Sequence, residues 1–154
     1  MPDTGRSTPG PSAAPDASSD GVPGRAILVV DDEPSVRRYI ADVLRNRGHE
    51  VVVAGGGREA LRAVYERSTT PALLVSDIGM PDMSGIELAA RLSADRPGIR
   101  VILMTGTPAS AELARERAEL VSAVLLKPFT LDDLLRAVEA ALADAPGQPP
   151  DSPA

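Results

Sequence analysis

The sequence predicts an α/β domain in which a five-stranded parallel sheet is covered by helices on both faces, and three observations carry that prediction. Short runs rich in Val, Ile and Leu alternate with longer segments of helical period. Several of the runs are almost continuously apolar, the pattern of strands buried on both sides. Acidic, hydroxyl and basic residues stand directly after the runs, where open parallel sheets place their chemistry.

The first run is Ala26-Ile27-Leu28-Val29-Val30, and the next helix is marked by Pro34 in its first turn, Val36, Ile40, Val43 and Leu44 on one face, and Gly48 as its stop. The second run spans Val51 to Ala54. A weaker helix after it carries Ala60, Leu61 and Val64. The third run, Ala72 to Ser76, precedes a helix carrying Ile86, Ala89 and Leu92 that ends before Pro97-Gly98. Val101 to Met104 is the fourth run, and the helix after Pro108 carries Leu113. The fifth run, Ala123 to Leu126, leads to a helix capped by Thr130, with Asp132 and Asp133 at the positive end of its dipole. Leu131, Leu134, Leu135, Val138 and Leu142 form its expected buried stripe.

Composition sets the outer limits. In 154 residues, 43% apolar and 25% charged content is that of one globular domain. Residues 1–24 and 145–154 are built from Pro, Gly, Ser, Ala and Asp and bury too little to offset ordering entropy, so they are expected to be disordered tails around a folded unit at 25–144. The formal net charge of -6 argues against a nucleic-acid or anionic-membrane surface. No apolar run approaches the roughly 20 residues that span a bilayer, and the amino terminus has no signal-peptide pattern, so a cytoplasmic location is expected. The absence of cysteine excludes disulfides and thiolate chemistry, and the single histidine, His49, reads as a surface residue entering a strand.

The run ends deliver Asp31-Asp32, Asp77, Thr105 and Lys127-Pro128 to one edge. Three carboxylates in one pocket repel unless a cation lies among them, and a small set of oxygen ligands beside a phosphate suits Mg2+. Lys127 is then a counter-charge for the same phosphate. The triplet Gly55-Gly56-Gly57 lacks dinucleotide-binding spacing and reads as a flexible connection before a helix.

These residues strongly resemble the receiver domain of response regulators: Val29-Val30-Asp31-Asp32-Glu33, Ser76-Asp77-Ile78-Gly79-Met80-Pro81-Asp82-Met83-Ser84-Gly85, Thr105-Gly106 and Lys127-Pro128-Phe129. The resemblance implies a flavodoxin-like, doubly wound (βα)5 fold with strand order 2-1-3-4-5. It implies that Asp77 is the phosphoacceptor, that Asp31, Asp32, Asp77 and the Gly79 carbonyl hold Mg2+, and that Lys127 and Thr105 engage the phosphoryl group. Lys127-Pro128 is expected to be cis, Pro128 to aim Lys127, and Gly85 to exploit a positive φ. The phosphoryl donor would be a sensor histidine kinase or histidine phosphotransfer protein, and the output an unknown protein target. The surface of the fourth helix, fifth strand and fifth helix would bind it.

One position departs from the family pattern. Three residues before Lys127 receivers usually carry Tyr or Phe, and this chain has Val124. The aromatic half of the usual relay is therefore missing. The expectation is a stand-alone receiver that switches rather than a metabolic enzyme, its catalysis limited to its own aspartyl phosphorylation and dephosphorylation. The alternatives are a phosphate sink or relay without a target, an Asp-nucleophile phosphatase, and a structural receiver with a dead pocket. A phosphatase usually has a second Asp two residues after the nucleophile, where this chain has Gly79.

Overall fold

The computed structural model describes residues 26–66 and 70–143. The expected tails, and the end residues Arg25 and Asp144 of the expected unit, lie outside the described residues. Among the described residues five strands alternate with five helices: β1 (Ala26–Val30), α1 (Pro34–Asn46), β2 (Glu50–Ala54), α2 (Gly57–Glu66), β3 (Pro71–Asp77), α3 (Gly85–Asp95), β4 (Arg100–Thr105), α4 (Pro108–Arg115), β5 (Ala123–Leu126) and α5 (Leu131–Ala143).

All pairings are parallel and the order is β2-β1-β3-β4-β5. Successive residues of the central strands feed opposite layers, because side chains alternate across a strand. Leu28, Val30, Leu74, Val101 and Leu103 pack with α2, α3 and α4. Ile27, Val29, Leu73, Val75, Ile102 and Met104 pack with α1 and α5. Two apolar layers explain why β1 reads as five apolar residues in a row. The edge strands are less covered: Glu50 and Val53 of β2 are exposed, and β5 is half-buried with Leu126 exposed.

Helix ends follow the local chemistry. Pro34 opens α1, and Gly48 closes its exit at φ 90°, with its N–H donating to the Arg45 carbonyl. The Thr130 hydroxyl accepts from Asp133 N at 3.0 Å, while the Asp133 carboxylate accepts from Thr130 N at 3.2 Å. This reciprocal cap fixes the start of α5 just after Lys127-Pro128-Phe129.

Two expected core positions are corrected. Leu113 is 57% exposed and α4 buries Ala111 and Ala114 instead; Leu131 is also exposed, leaving Leu134, Leu135, Val138 and Ala141 as the buried side of α5. Leu131 is the first residue of its helix, where the chain has not yet turned onto the sheet. Leu113 falls one position away from the small-residue face on which α4 approaches β4 and β5.

Candidate functional site

Strand order reverses between β1 and β3, so their carboxyl ends open a crevice that α1 and α3 flank from opposite faces. Asp31 follows β1 and Asp77 ends β3. Carboxylate oxygens of Asp31, Asp32 and Asp77 lie within 4.8 Å of one another. Asp31 is 1% exposed and Asp77 8%. Asp32 stands exposed at the rim.

Lys127 reaches this cluster from the end of β5. Its Nζ lies 3.1 Å from Asp77 Oδ1 and 3.3 Å from Asp31 Oδ2. Its backbone is held as well, because Lys127 N donates to the Thr105 carbonyl at 2.7 Å, and the Lys127-Pro128 peptide is cis as expected. Burial pushes the Asp77 carboxyl above its ordinary pKa, and repulsion from Asp31 and Asp32 adds to this against the opposing pull of Lys127. Burial pulls the Lys127 ammonium down, but Asp77 and Asp31 outweigh it and leave its pKa raised. Three carboxylates with one ammonium carry a formal charge of about -2, which a divalent cation neutralises. This donor set, all oxygen and partly open at Asp32, fits Mg2+.

Thr105 ends β4 beside the strand that ends at Asp77 and is 5% exposed. Its hydroxyl accepts from Thr107 N at 3.2 Å, so the side chain is tied to the loop that opens α4. Gly79 lies two residues beyond Asp77 in an exposed position, and a Cβ there would meet nothing within 4 Å. Asp31, Asp32, Asp77 and Lys127 are thus joined by measured contacts, with Thr105 on the neighbouring strand end and Gly79 on the loop that leaves Asp77.

Local structure aims Asp77. Ile78 N donates to the Met104 carbonyl and Gly85 N to the Ile78 carbonyl, both at 2.8 Å, which folds the chain sharply back into α3. Gly85 serves this turn through close approach rather than the expected positive φ: a Cβ there would stand 2.2 Å from the Asp77 carbonyl oxygen. Ser84 caps α3 by accepting from Glu87 N.

Sequence reasoning missed two contributors. Arg37 Nη1 donates to the Asp31 carbonyl at 2.8 Å, anchoring the acidic loop to α1. Asp82 accepts from Gly57 N at 3.2 Å and from Arg58 N at 2.9 Å. The glycine triplet is therefore not a free connection, since Gly56 and Gly57 are buried against Asp82 and Met83. Neither contact has a sequence signal: Arg37 acts on a backbone carbonyl six residues earlier, and nothing local in the sequence pairs Asp82 with a segment about 25 residues earlier.

Comparison with known proteins shows the family and agrees with the fold. Residues 27–139 match the response regulator receiver domain, and the chain belongs to that family. It is 34% identical over 115 residues to the response regulator receiver protein CpdR of Brucella abortus, covering 75% of this chain and 94% of that one. It is 32% identical to the probable transcriptional regulatory protein TcrX of Mycobacterium tuberculosis, covering 80% of this chain but 52% of TcrX. The chain thus spans about half the length of that relative. Among solved structures it resembles the response regulator TrrA of Thermotoga maritima in complex with Mg2+ and BeF, at 30% identity and TM-score 0.65 over 76% of this chain and 98% of that one. Among the described residues no helix is long and apolar enough to cross a membrane.

Proposed function

We propose that this chain is a phosphorylatable receiver in which Asp77 takes a phosphoryl group from a phosphohistidine on a sensor kinase or phosphotransfer protein. A carboxylate oxygen of Asp77 attacks phosphorus, the P–N bond breaks, and the imidazole leaves with the electron pair and takes up a proton. The product is an acyl phosphate on Asp77. The observation that carries the reading is the Lys127 ammonium bridging Asp31 and Asp77 at 3.3 and 3.1 Å, at a crevice where three carboxylates converge.

Asp31, Asp32, Asp77 and the Gly79 carbonyl would hold Mg2+, which when bound supplies charge neutralisation for the transferring oxygens. Lys127 pairs with the phosphoryl oxygens once they replace the Asp77 carboxylate as its partner. Thr105 donates its hydroxyl hydrogen to the same group while its oxygen keeps accepting from Thr107 N, and so draws the loop Gly106-Thr107-Pro108 with it. The surface of α4, β5 and α5, where Leu113, Leu126 and Leu131 stand exposed, then binds a protein target. The match to CpdR, which covers 94% of that protein, supports the receiver reading of the folded unit.

The test is incubation with acetyl phosphate and Mg2+, read by intact mass. The parent should gain one phosphoryl group and Asp77→Asn none. Equal labelling of Asp77→Asn would overturn the assignment.

A further inference from the structure

The loop that leaves the phosphoacceptor is fastened to a helix that the phosphoryl chemistry does not use. Asp82 Oδ2 accepts from Arg58 N at 2.9 Å, and Oδ1 accepts from Gly57 N at 3.2 Å and from Met83 N at 2.9 Å. The N–H of Arg58, followed by those of Gly57 and Met83, holds this carboxyl below the usual range, so Asp82 stays ionised at neutral pH. The carboxylate thereby satisfies two donors of the first turn of α2, at the positive end of its dipole.

Steric fit supports the same conclusion independently. A Cβ on Gly57 would stand 2.2 Å from Met83 Cγ, and one on Gly56 would stand 3.0 Å from an Asp82 oxygen. Glycine at these positions lets the start of α2 sit directly on Asp82 and Met83. The fixed points nearest Asp77 are Ile78 N on Met104 and Gly85 N on Ile78. Gly79 lies on the span between them, three residues before Asp82, and Asp82 ties that span to the first turn of a helix.

We propose that Asp82 is a positioning residue for the metal site: clamped to α2, it sets where the Gly79 carbonyl stands, and so couples Mg2+ affinity to the seating of α2. The inference rests on the Mg2+ site proposed above. The coupling is reciprocal, because a change in affinity caused by seating α2 requires an equal change in seating caused by the ion.

The test is an NMR titration with Mg2+ of the parent, Asp82→Ala, Asp82→Asn and Tyr65→Phe. Tyr65 hydrogen-bonds Asp95 at the far end of α2, so its replacement loosens that helix without touching the clamp. Asp82→Ala should bind Mg2+ about tenfold more weakly, the size expected when a group supporting a metal ligand is lost. Acetyl phosphate labelling of that variant should fall at low Mg2+ and recover at saturation. Asp82→Asn keeps an acceptor oxygen without the charge, so its affinity should lie between parent and Ala; it also carries the comparison should Asp82→Ala not fold. The Gly57 and Arg58 amide signals should respond to Mg2+ in the parent and lose that response in Asp82→Ala.

Parental affinity in Asp82→Ala would overturn the clamp alone. So would an Asp82→Asn as weak as Asp82→Ala, which would assign the effect to charge, or a Tyr65→Phe weakened as much, which would make affinity follow stability. A parent that binds no Mg2+ would overturn both the site and the clamp.

Discussion

Replacing Gly85 with Ala adds one methyl group where the first turn of α3 passes the backbone of Asp77. The new Cβ would stand 2.2 Å from the Asp77 carbonyl oxygen, 3.0 Å from its carbon and 3.1 Å from Ile78 Cα. A relaxed carbon–oxygen contact is about 3.3 Å, so the two backbone segments must separate by about 1 Å. Neither neighbour is a flexible side chain that can swing aside. The separation also stretches the 2.8 Å bond from Gly85 N to the Ile78 carbonyl. At a helical position with free space, Gly to Ala would stabilise by about 0.5–1 kcal/mol. Overpacking here costs about 1–3 kcal/mol and a weakened buried hydrogen bond about 1 more, so the net is a loss of roughly 1–3 kcal/mol. For a domain of this size that lowers Tm by roughly 5–10 °C. Circular-dichroism melts should show this fall, and acetyl phosphate labelling should slow because the shifted backbone carries the Asp77 carboxylate with it. Gly79→Ala and Gly106→Ala, where nothing lies within 4 Å of the added carbon, should melt close to the parent. A Gly85→Ala protein with parental Tm and labelling would refute the close-approach argument.

Mg2+ at 100 times its Kd should stabilise the parent by about 2.7 kcal/mol, seen as a Tm rise of roughly 10 °C, and Asp32→Ala should abolish the rise. The raised Asp77 pKa fixes the sign with pH. Its folded form favours the proton, so the metal-free protein loses stability as pH climbs through that raised value, and the Mg2+ effect should grow over the same interval. A Tm indifferent to Mg2+ at neutral pH would count against the shared site. Lys127→Ala should fold but lose about 1–2 kcal/mol without metal, a figure reduced from that of a fully buried pair because Lys127 is part-exposed. Saturating Mg2+ should recover much of that loss, since the ion neutralises the same carboxylates, while acetyl phosphate labelling stays slow. Parental labelling in this variant would make Lys127 a bystander.

The sheet was legible because its strands lie between two helix layers, and burial on both faces leaves little but Val, Ile and Leu in the central runs. Asp31, Asp77, Thr105 and Lys127 were legible for a related reason: each is the first polar residue after such a run, where a parallel sheet must end its strands on one edge. Leu113 was misread because periodicity marks which residues share a face but not which face meets the sheet, and Leu131 because it stands at the first position of α5, ahead of the buried stripe. Ala111 and Ala114 carry so weak an apolar signal that the helix they seat looked centred on Leu113. Gly85 was recognised as a backbone position for the wrong reason, because close approach and positive φ select the same residue. Asp82 and Arg37 act on backbone atoms, which have no sequence signature, so only the folded chain brings their partners into view.

The helices differ in how firmly they are seated, and this bears on the output expected with Val124 in place of an aromatic. Val124 packs in the layer that holds Leu103 and Ala114, where a short branched side chain fills its space and has no long ring to swing between positions. Movement at Thr105 must therefore leave through the backbone of Gly106-Thr107-Pro108, to which its hydroxyl is already bonded. That loop opens α4, the shortest of the five helices, whose buried residues are Ala111 and Ala114. By contrast α1 buries Ile40 and Leu44, and α5 buries Leu134, Leu135 and Val138. Each buried CH2 contributes about 0.8 kcal/mol, so sliding α4 forfeits far less contact than sliding α1 or α5. On the proposed switch, a signal that leaves through this loop would meet a helix cheap to displace because its buried face is only Ala111 and Ala114, and the exposed Leu113 on it would register the displacement at the surface.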